Sequence, residues 1–376
     1  MTDFDDIRPY RDDEIPAAMQ RIADSELIPP IASYLMPDMP IEAFRDMIRN
    51  IRSANELQVV LIKKTVEILT ERTTLGFERT GLENISEEKP RLYVSNHRDI
   101  VLDVMFLQYV LNAIGQETCQ VTFGSNLMSH PFMVDFGRSN KMFRTERGGS
   151  PREFFRSLMR LSAYIRHVIT EEHEPVWIAQ RNGRTKDGLD LTDPATLKMF
   201  SLSGSEDWVR SLAELNITPV VVSYEWESCD KLKALELYYT KKNGTYEKKP
   251  NEDLNSIITG IMQQKGHVHL HFCPTITEAE LSELEKEAPE LFFVHLAELI
   301  DQRIHANYHL YPNNFIAHDL LSGTETYANR YTPEEKARFL QYMSWIDECQ
   351  ETDHDLLKSL FLGIYANPVD NINNSK

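Results

Sequence analysis

The chain has 376 residues, of which 41% are hydrophobic and 10% aromatic, enough for a substantial core in one large domain or two modest ones. Its formal net charge of −18 argues against nucleic acid as a partner, because phosphate-binding proteins usually carry the opposite sign. The four cysteines lie far apart with no Cys-x-x-Cys spacing. This usage fits a reducing cytoplasm and predicts neither a metal site nor a disulfide framework.

The amino-terminal residues are acidic and polar, so they do not read as a secretory signal. No apolar run reaches about 18 residues, the length that a membrane-spanning helix needs. The longest candidate, 101–115, is interrupted by Asp103, Gln108 and Asn112. We therefore expect any membrane contact to be peripheral.

Residues 1–75 have helical spacing of apolar residues, with two patterns that include Phe44, Ile48 and Ile51 and then Leu57, Leu61 and Leu69. No strand alternation precedes residue 90. The prediction is an N-terminal helical domain over 1–80 that carries no recognisable chemistry.

Short strands alternate with helices between residues 90 and 275. Several of the strands are continuous apolar runs, which suit central strands covered by helices on both faces. The predicted class is therefore α/β, a three-layer sandwich with a mostly parallel mixed sheet, in a domain over 81–275. The predicted strands are 91–95, 119–124, 175–179, 218–224, 235–240 and 267–272.

The remainder reads mainly as helices, predicted as a C-terminal extension over 276–366 that packs on the core. One helix start is explicit in Thr332-Pro-Glu-Glu335, which combines an N-cap, a proline at the first position and a capping-box glutamate. The tail, 367–376, is polar and is predicted to be flexible.

The first chemical block is Asn96-His97-Arg98-Asp99, which lies between the strand at 91–95 and an apolar helical stretch. A histidine at such a junction is held by backbone and can face a cleft. Asp99 or Asp103 can fix its tautomer and stabilise its charged form, as a general base requires. The alternative is a polar histidine in an ordinary strand-to-helix turn.

The second block precedes a helix that begins at Ser150-Pro-Arg-Glu153, another capping box. Arg144 and Arg147 lie beside glycines and this helix start, which suits anion binding. Along the helix, Arg152, Arg156 and Arg160 form a cationic ridge, and the apolar stripe begins at Phe154. The ridge is either a solvated face or a docking surface.

The third block, Gln180-Arg181-Asn182-Gly183-Arg184-Thr185-Lys186, directly follows the strand at 175–179. Cations in a glycine-bearing loop at the end of a strand are where α/β proteins bind anionic groups. A polar surface loop is the alternative. The fourth block is the buried strand that contains Pro219-Val220.

In order and spacing, these blocks resemble the motifs of the glycerophospholipid acyltransferase family over about 90–225. Asn96-His97 matches the family's Asn-His-x-x-x-x-Asp block, Phe143-Arg144 its Phe-x-x-Arg block, 180–185 its Pro-Glu-Gly-Thr-Arg block, and Pro219-Val220 its last block. Two departures indicate a divergent bacterial branch. Leu102 occupies the family's aspartate position, so Asp103 is the expected partner, and Gln180 replaces the family's glutamate.

The resemblance implies an O-acyltransferase in which His97 acts as general base on an acceptor hydroxyl that attacks an acyl thioester. The donor is expected to be acyl-CoA or acyl-ACP, used as co-substrate without a further cofactor, and the acceptor glycerol-3-phosphate or a lysophospholipid. The residues expected to bind the acceptor are Arg144, Arg147, Gln180, Arg181, Arg184 and Lys186. The expected partners are acyl carrier protein and an anionic membrane. The protein is expected in the cytoplasm, in peripheral contact with the inner face of the cell membrane.

Three alternatives stay open at this point. The acceptor could be a hydroxylated or lyso aminolipid, or the chain could be a non-catalytic relative that binds lipid or carrier. The third is a metal-dependent hydrolase, since His267, His269 and His271 share one face of a predicted strand. Alternate strand residues span about 13 Å over five positions, too far for all three imidazoles to hold one ion.

Overall fold

The computed structural model describes residues 4–125, 130–146, 148, 150–350 and 352–374. Arg147, one of the predicted anion-binding residues, lies outside them. Within the described residues, no helix combines the length and apolar character needed to cross a bilayer.

A seven-stranded sheet forms the centre of the described structure, in the order β1-β7-β6-β2-β5-β3-β4. Strands β6, β2, β5, β3 and β4 run in one direction, while β1 and β7 run together in the opposite direction. The strands are β1 (Thr74–Thr80), β2 (Leu92–Ser95), β3 (Gln120–Gly124), β4 (Met142–Thr145), β5 (Val176–Ala179), β6 (Thr218–Tyr224) and β7 (Gly266–Phe272).

Helices cover both faces of the sheet. In chain order, the helices from α5 to α14 are α5 (Lys63–Thr73), α6 (Leu102–Ala113), α7 (Pro131–Ser139), α8 (Pro151–His167), α9 (Pro194–Ser201), α10 (Trp208–Ala213), α11 (Asp230–Asn243), α12 (Glu252–Met262), α13 (Glu278–Glu287) and α14 (Phe292–Asn307). One apolar cluster joins the sheet face that includes Val94 and Val221 to α8, α9 and α14, and another joins the face of Tyr93 and Val222 to α5 and α6. The predicted α/β class, with a mostly parallel mixed sheet and helical extensions, is confirmed.

Two further apolar clusters lie outside the sheet. The first unites the N-terminal helices α1 (Ile15–Ala23), α2 (Ile28–Leu35), α3 (Ile41–Arg49) and α4 (Ala54–Leu57) with Ile68 of α5. The second unites α11 with α15 (Pro312–Ser322), α16 (Pro333–Met343) and α17 (His354–Asn374). The capping boxes predicted at Ser150 and Thr332 are present.

Three sequence expectations are wrong. Residues 235–240 lie in α11, where burial of Ala234 and Tyr238 four positions apart is helical rather than strand-like. Strands β1 and β4 were not predicted. They are the two edge strands of the sheet, and an edge strand does not need the continuous apolar run by which the central strands were predicted. The tail predicted to be flexible from residue 367 instead continues α17 to Asn374, with Val369 buried.

The domain boundaries remain predictions. Strand β1 lies before the boundary predicted at residue 80 and nevertheless belongs to the central sheet.

Candidate active site

The turn after β2 carries the histidine, and Asn96 attaches that turn to β6. The amide oxygen of Asn96 accepts from the Val222 N–H at 2.9 Å, and its amide nitrogen donates to the Val222 carbonyl at 3.0 Å. The side chain therefore extends the sheet as a peptide group would, since an asparagine amide carries one donor group and one acceptor. This explains why asparagine precedes the histidine.

His97 and Asp103 form a hydrogen-bonded dyad. Nδ1 of His97 lies 3.0 Å from Oδ2 of Asp103, which belongs to the first turn of α6. The same Oδ2 accepts from the backbone N–H groups of Arg98 at 2.6 Å and Asp99 at 2.9 Å. Because Asp103 accepts these bonds, Nδ1 of His97 is the donor, and Nε2 is left to take a proton.

The Asp103 carboxylate is buried but remains charged. Burial alone would raise its pKa, yet the hydrogen bonds from His97, the Asp99 backbone and Tyr224 hold the pKa below its ordinary value. An ionised Asp103 can stabilise the imidazolium that forms when His97 accepts a proton.

Asp99, the other carboxylate considered, has a different role in the structure. Its Oδ1 accepts from the backbone N–H groups of Val101 and Leu102, both at 2.9 Å, at the start of α6. Its Oδ2 accepts a short hydrogen bond from the Ser228 hydroxyl. The Asp99 carboxylate thus closes the helix terminus and does not contact the imidazole, although the Asp99 backbone N–H donates to Asp103.

A buried network of four charges holds this turn to its neighbours. The guanidinium of Arg98 donates to Asp190 at 2.5 Å and to Glu227 at 3.2 Å, and Glu227 also pairs with Lys233 at 2.5 Å. All four side chains are at most 3% exposed, and two cations balance two anions. Sequence reasoning missed this network because its members are up to 135 positions apart, although Arg98 itself belongs to the first chemical block.

The loop after β5 packs directly on the histidine turn. The Thr185 N–H donates to the His97 carbonyl at 2.7 Å, and the Gln180 N–H donates to the Ser95 carbonyl at 2.8 Å. Gln180 is fully buried, and neither its amide oxygen nor its amide nitrogen has a partner among the described residues. Buried atoms without partners also occur on Thr185, Arg184 and Asp190 of the same loop.

Such a concentration of unpaired buried polar atoms is costly unless a polar ligand or water satisfies them. The loop therefore has the character of a site for a polar group beside His97. Arg181 and Arg184 are half-buried in this loop, whereas the Lys186 ammonium forms a short ion pair with Glu236 of α11.

Arg144 lies farther away. It ends β4, which is separated from β2 by β5 and β3, so the two strands are roughly 14 Å apart at the usual strand spacing. Its side chain is 46% exposed and pairs with Glu146 at 2.8 Å. The strand shares its carboxyl edge with β2, but the described structure does not bring Arg144 to the imidazole.

The His97 ring is partly exposed and packs against one aromatic side chain. Its side chain is 14% exposed, and the Trp177 ring meets it edge-to-face with centroids 5.5 Å apart. Two cavities of about 360 and 570 Å³ lie elsewhere, among the N-terminal helices and α7, and neither borders His97.

The three histidines of β7 do not converge on one ion. The rings of His269 and His271 both hydrogen-bond to Thr80 at 2.8 Å, while His267 stacks near Tyr311. Over the described part of the chain, no group of three or more His, Cys, Asp or Glu has an arrangement that could hold a metal.

Comparison with known proteins finds one similar family. Residues 76–223 match a family model described as Acyltransferase, a span that begins in β1 and includes the histidine turn and the loop after β5. No curated protein matches the chain. Among solved structures, the 1-acyl-sn-glycerophosphate (LPA) acyltransferase PlsC from Thermotoga maritima is similar at 13% identity and a TM-score of 0.36, covering 76% of this chain and 94% of that chain.

Proposed function

We propose that this chain, whose residues 76–223 match the acyltransferase family model, transfers a fatty acyl group from an acyl thioester to a hydroxyl of glycerol-3-phosphate or a lysophospholipid. The observation that carries the proposal is the hydrogen bond between His97 Nδ1 and Asp103 Oδ2, at the carboxyl end of the central strand β2. Ligands of open α/β sheets bind at this edge.

The chemistry requires a base because an alcohol is a poor nucleophile at neutral pH. Nε2 of His97 takes the proton of the acceptor hydroxyl while that oxygen attacks the thioester carbonyl. The C–S bond then breaks, an ester forms, and the imidazolium returns the proton to the departing thiolate. A positioned base of this kind contributes roughly a 10²–10⁴-fold acceleration.

The acceptor phosphate is assigned to the loop after β5. Arg181 and Arg184 supply guanidinium groups that match phosphate bidentately, and Gln180 and Thr185 supply buried polar atoms without partners. Lys186 is a weaker candidate than the sequence suggests, because its charge is already compensated by Glu236. Arg144 can contribute only if it leaves Glu146.

The test is an acyl-transfer assay with acyl-CoA and acyl-ACP donors against glycerol-3-phosphate, lysophosphatidate and a lyso aminolipid. His97→Ala should abolish transfer and Asp103→Asn should lower kcat by roughly 10²-fold or more. Asp99→Asn is the matched control, a carboxylate in the same turn that does not contact the imidazole. Its kcat in the folded protein should stay close to wild type.

Three results would contradict the proposal. They are normal turnover by His97→Ala, equal losses in Asp103→Asn and Asp99→Asn, and no thioester consumption by the wild type with any acceptor. The last would favour the non-catalytic alternative. If the protein prefers the aminolipid, the proposed acceptor is wrong but the proposed O-acyl transfer stands.

A peripheral contact with anionic lipid is the second part of the proposal, and α8 supports it. Phe154, Phe155 and Met159 are 41%, 55% and 38% exposed, so Phe154 does not begin a buried stripe as its spacing suggested. Arg152 and Arg156 are exposed beside them and have no ion pair among the described residues. Exposed aromatic side chains beside cations suit the interface of an anionic bilayer.

The third arginine of the ridge and two neighbouring cations are engaged within the protein. Arg160 forms a short ion pair with Asp6, Lys141 pairs with Glu117 and Glu174, and Arg166 pairs with Glu214. The docking surface is therefore narrower than the sequence indicates. It consists of Arg152, Phe154, Phe155, Arg156 and Met159.

Vesicle co-sedimentation tests this surface, with phosphatidylcholine alone and with added phosphatidylglycerol. Each arginine near an anionic surface contributes about 1 kcal/mol, so Arg152→Glu/Arg156→Glu should weaken binding roughly 30-fold or more. Lys286→Glu/Lys358→Glu, the same charge change at exposed positions elsewhere, should leave binding nearly unchanged. Vesicle binding that does not depend on salt would reject lipid as the partner. So would a double variant that loses binding to acyl carrier protein but keeps binding to vesicles.

A further inference from the structure

The hydroxyl of Tyr224 donates to Oδ1 of Asp103 at 2.8 Å. Tyr224 ends β6, so this contact joins the strand beside β2 to the first turn of α6. Both side chains are 1% exposed. Oδ1 is the carboxylate oxygen that faces away from the imidazole, since Oδ2 accepts from His97 and from two backbone N–H groups.

We infer that Tyr224 is a positioning residue of the dyad, which fixes the Asp103 carboxylate and draws its negative charge away from the imidazole. The inference rests on the proposed function, in which His97 is the base. A charge-assisted hydrogen bond in a buried site is stronger than a neutral one, so the phenol has substantial influence on the carboxylate.

The sign of that influence follows from electrostatics. A carboxylate stabilises the imidazolium most when its charge is concentrated on the oxygen that faces the ring. Donation from Tyr224 to Oδ1 reduces that charge and so favours the neutral imidazole, the form that acts as base. Without the phenol, the imidazolium is better stabilised, and the neutral base appears only at higher pH.

Other charged groups lie around the dyad and stay unchanged in the test. The carboxylates of Asp99 and Glu227 face the Tyr224 phenol at longer range. Asp99 in turn is near the Lys265 ammonium. Trp177, which faces His97, carries no charge. Removal of one hydroxyl therefore isolates the bond to Oδ1.

The experiment compares Tyr224→Phe with wild type by two readouts. The first is the titration midpoint of His97, followed by NMR on protein labelled with ¹⁵N-histidine and assigned with His97→Gln. The second is the acid limb of kcat/KM. A hydrogen bond of ordinary net strength corresponds to an upward movement on the order of 0.5–1 pH unit in both.

Tyr93→Phe is the matched control. Tyr93 is equally buried, belongs to the same apolar cluster in the neighbouring strand, and does not bond Asp103. It should move neither readout. A merely structural role for Tyr224 lowers stability and leaves the midpoint in place.

The outcomes separate the two proposals. A His97 midpoint that is the same in wild type and Tyr224→Phe, or that moves equally in Tyr93→Phe, overturns the positioning role whatever the activity. A wild-type chain that transfers no acyl group refutes the proposed function instead, because the NMR midpoint is measured without turnover.

Discussion

Replacement of Arg98 by methionine tests the buried charge network that joins the histidine turn to the loop after β5. The guanidinium donates to Asp190 through Nε at 3.1 Å and Nη2 at 2.5 Å, and to Glu227 through Nη1. Without it, Glu227 keeps the Lys233 ammonium. Among the described side chains, only the Asn96 amide, at 3.2 Å, would still donate a hydrogen bond to Asp190.

The expected cost is therefore that of one stranded carboxylate. Removal of one partner from a buried ion pair typically costs about 3–5 kcal/mol, because the remaining charge has lost its compensation. The free energy of unfolding, measured by urea titration, should fall by about this amount in Arg98→Met. Arg210→Met is the control, since Arg210 is 74% exposed and lies 3.6 Å from Glu214. It should cost less than about 1 kcal/mol.

A double-mutant cycle with Asp190→Asn identifies the cause. If the stranded charge is responsible, Asp190→Asn should be destabilising in the wild type but neutral or stabilising in Arg98→Met, a coupling of about 2 kcal/mol or more. A coupling below about 0.5 kcal/mol would refute the reasoning, because the loss would then reflect packing around the methionine.

Three further predictions concern stability. Burial lowers the pKa of Lys265 to about 8. Between pH 8 and 10.5 the unfolded chain therefore binds one more proton than the folded chain, and the free energy of unfolding rises with pH. Relative to Lys265→Met, the wild type should gain about 2 kcal/mol of this free energy between pH 7.5 and 9.5 in urea titrations, and a difference that does not change with pH would contradict this. Ser150→Ala removes the capping box of α8 and should cost about 1 kcal/mol, whereas Ser157→Ala in the same helix should cost less. Gly188 has φ +81° and an added Cβ would lie 2.4 Å from the Ile364 carbonyl oxygen, so Gly188→Ala should lower the melting temperature more than Gly115→Ala, where φ is also positive but the space is open.

Much of the central sheet follows from local pattern. Strands β2 and β6 are buried along their whole length and β5 in its first three residues, and the apolar runs of all three indicated strands at nearly the observed bounds. The pattern failed where burial is incomplete, at the two edge strands, and at 235–240, where the predicted strand is part of α11. Whether a segment lies at the edge of the sheet, or packs as a helix, depends on contacts with residues that are distant in the chain, so a local pattern does not reveal it.

The same division applies to the site. The chain itself determined that a histidine follows a buried strand, that carboxylates lie two and six positions later, and that cations follow β5. Only the folded structure decided which carboxylate meets the ring. Helix α6 begins at Leu102, so Asp103 lies in its first turn and its side chain points back toward the histidine turn, while Asp99 precedes the helix and closes its terminus.

The contacts that support the dyad come from much farther along the chain. Tyr224 ends β6, Asp190 lies in the loop after β5, Glu227 lies between β6 and α11, and Lys233 belongs to α11. Each is an ordinary polar residue in its own segment and acquires its role only when the strands align. Local sequence determines where reactive groups lie along the chain, but the partners that orient and charge them depend on the order of strands in the sheet, because hydrogen bonds act only over about 3 Å.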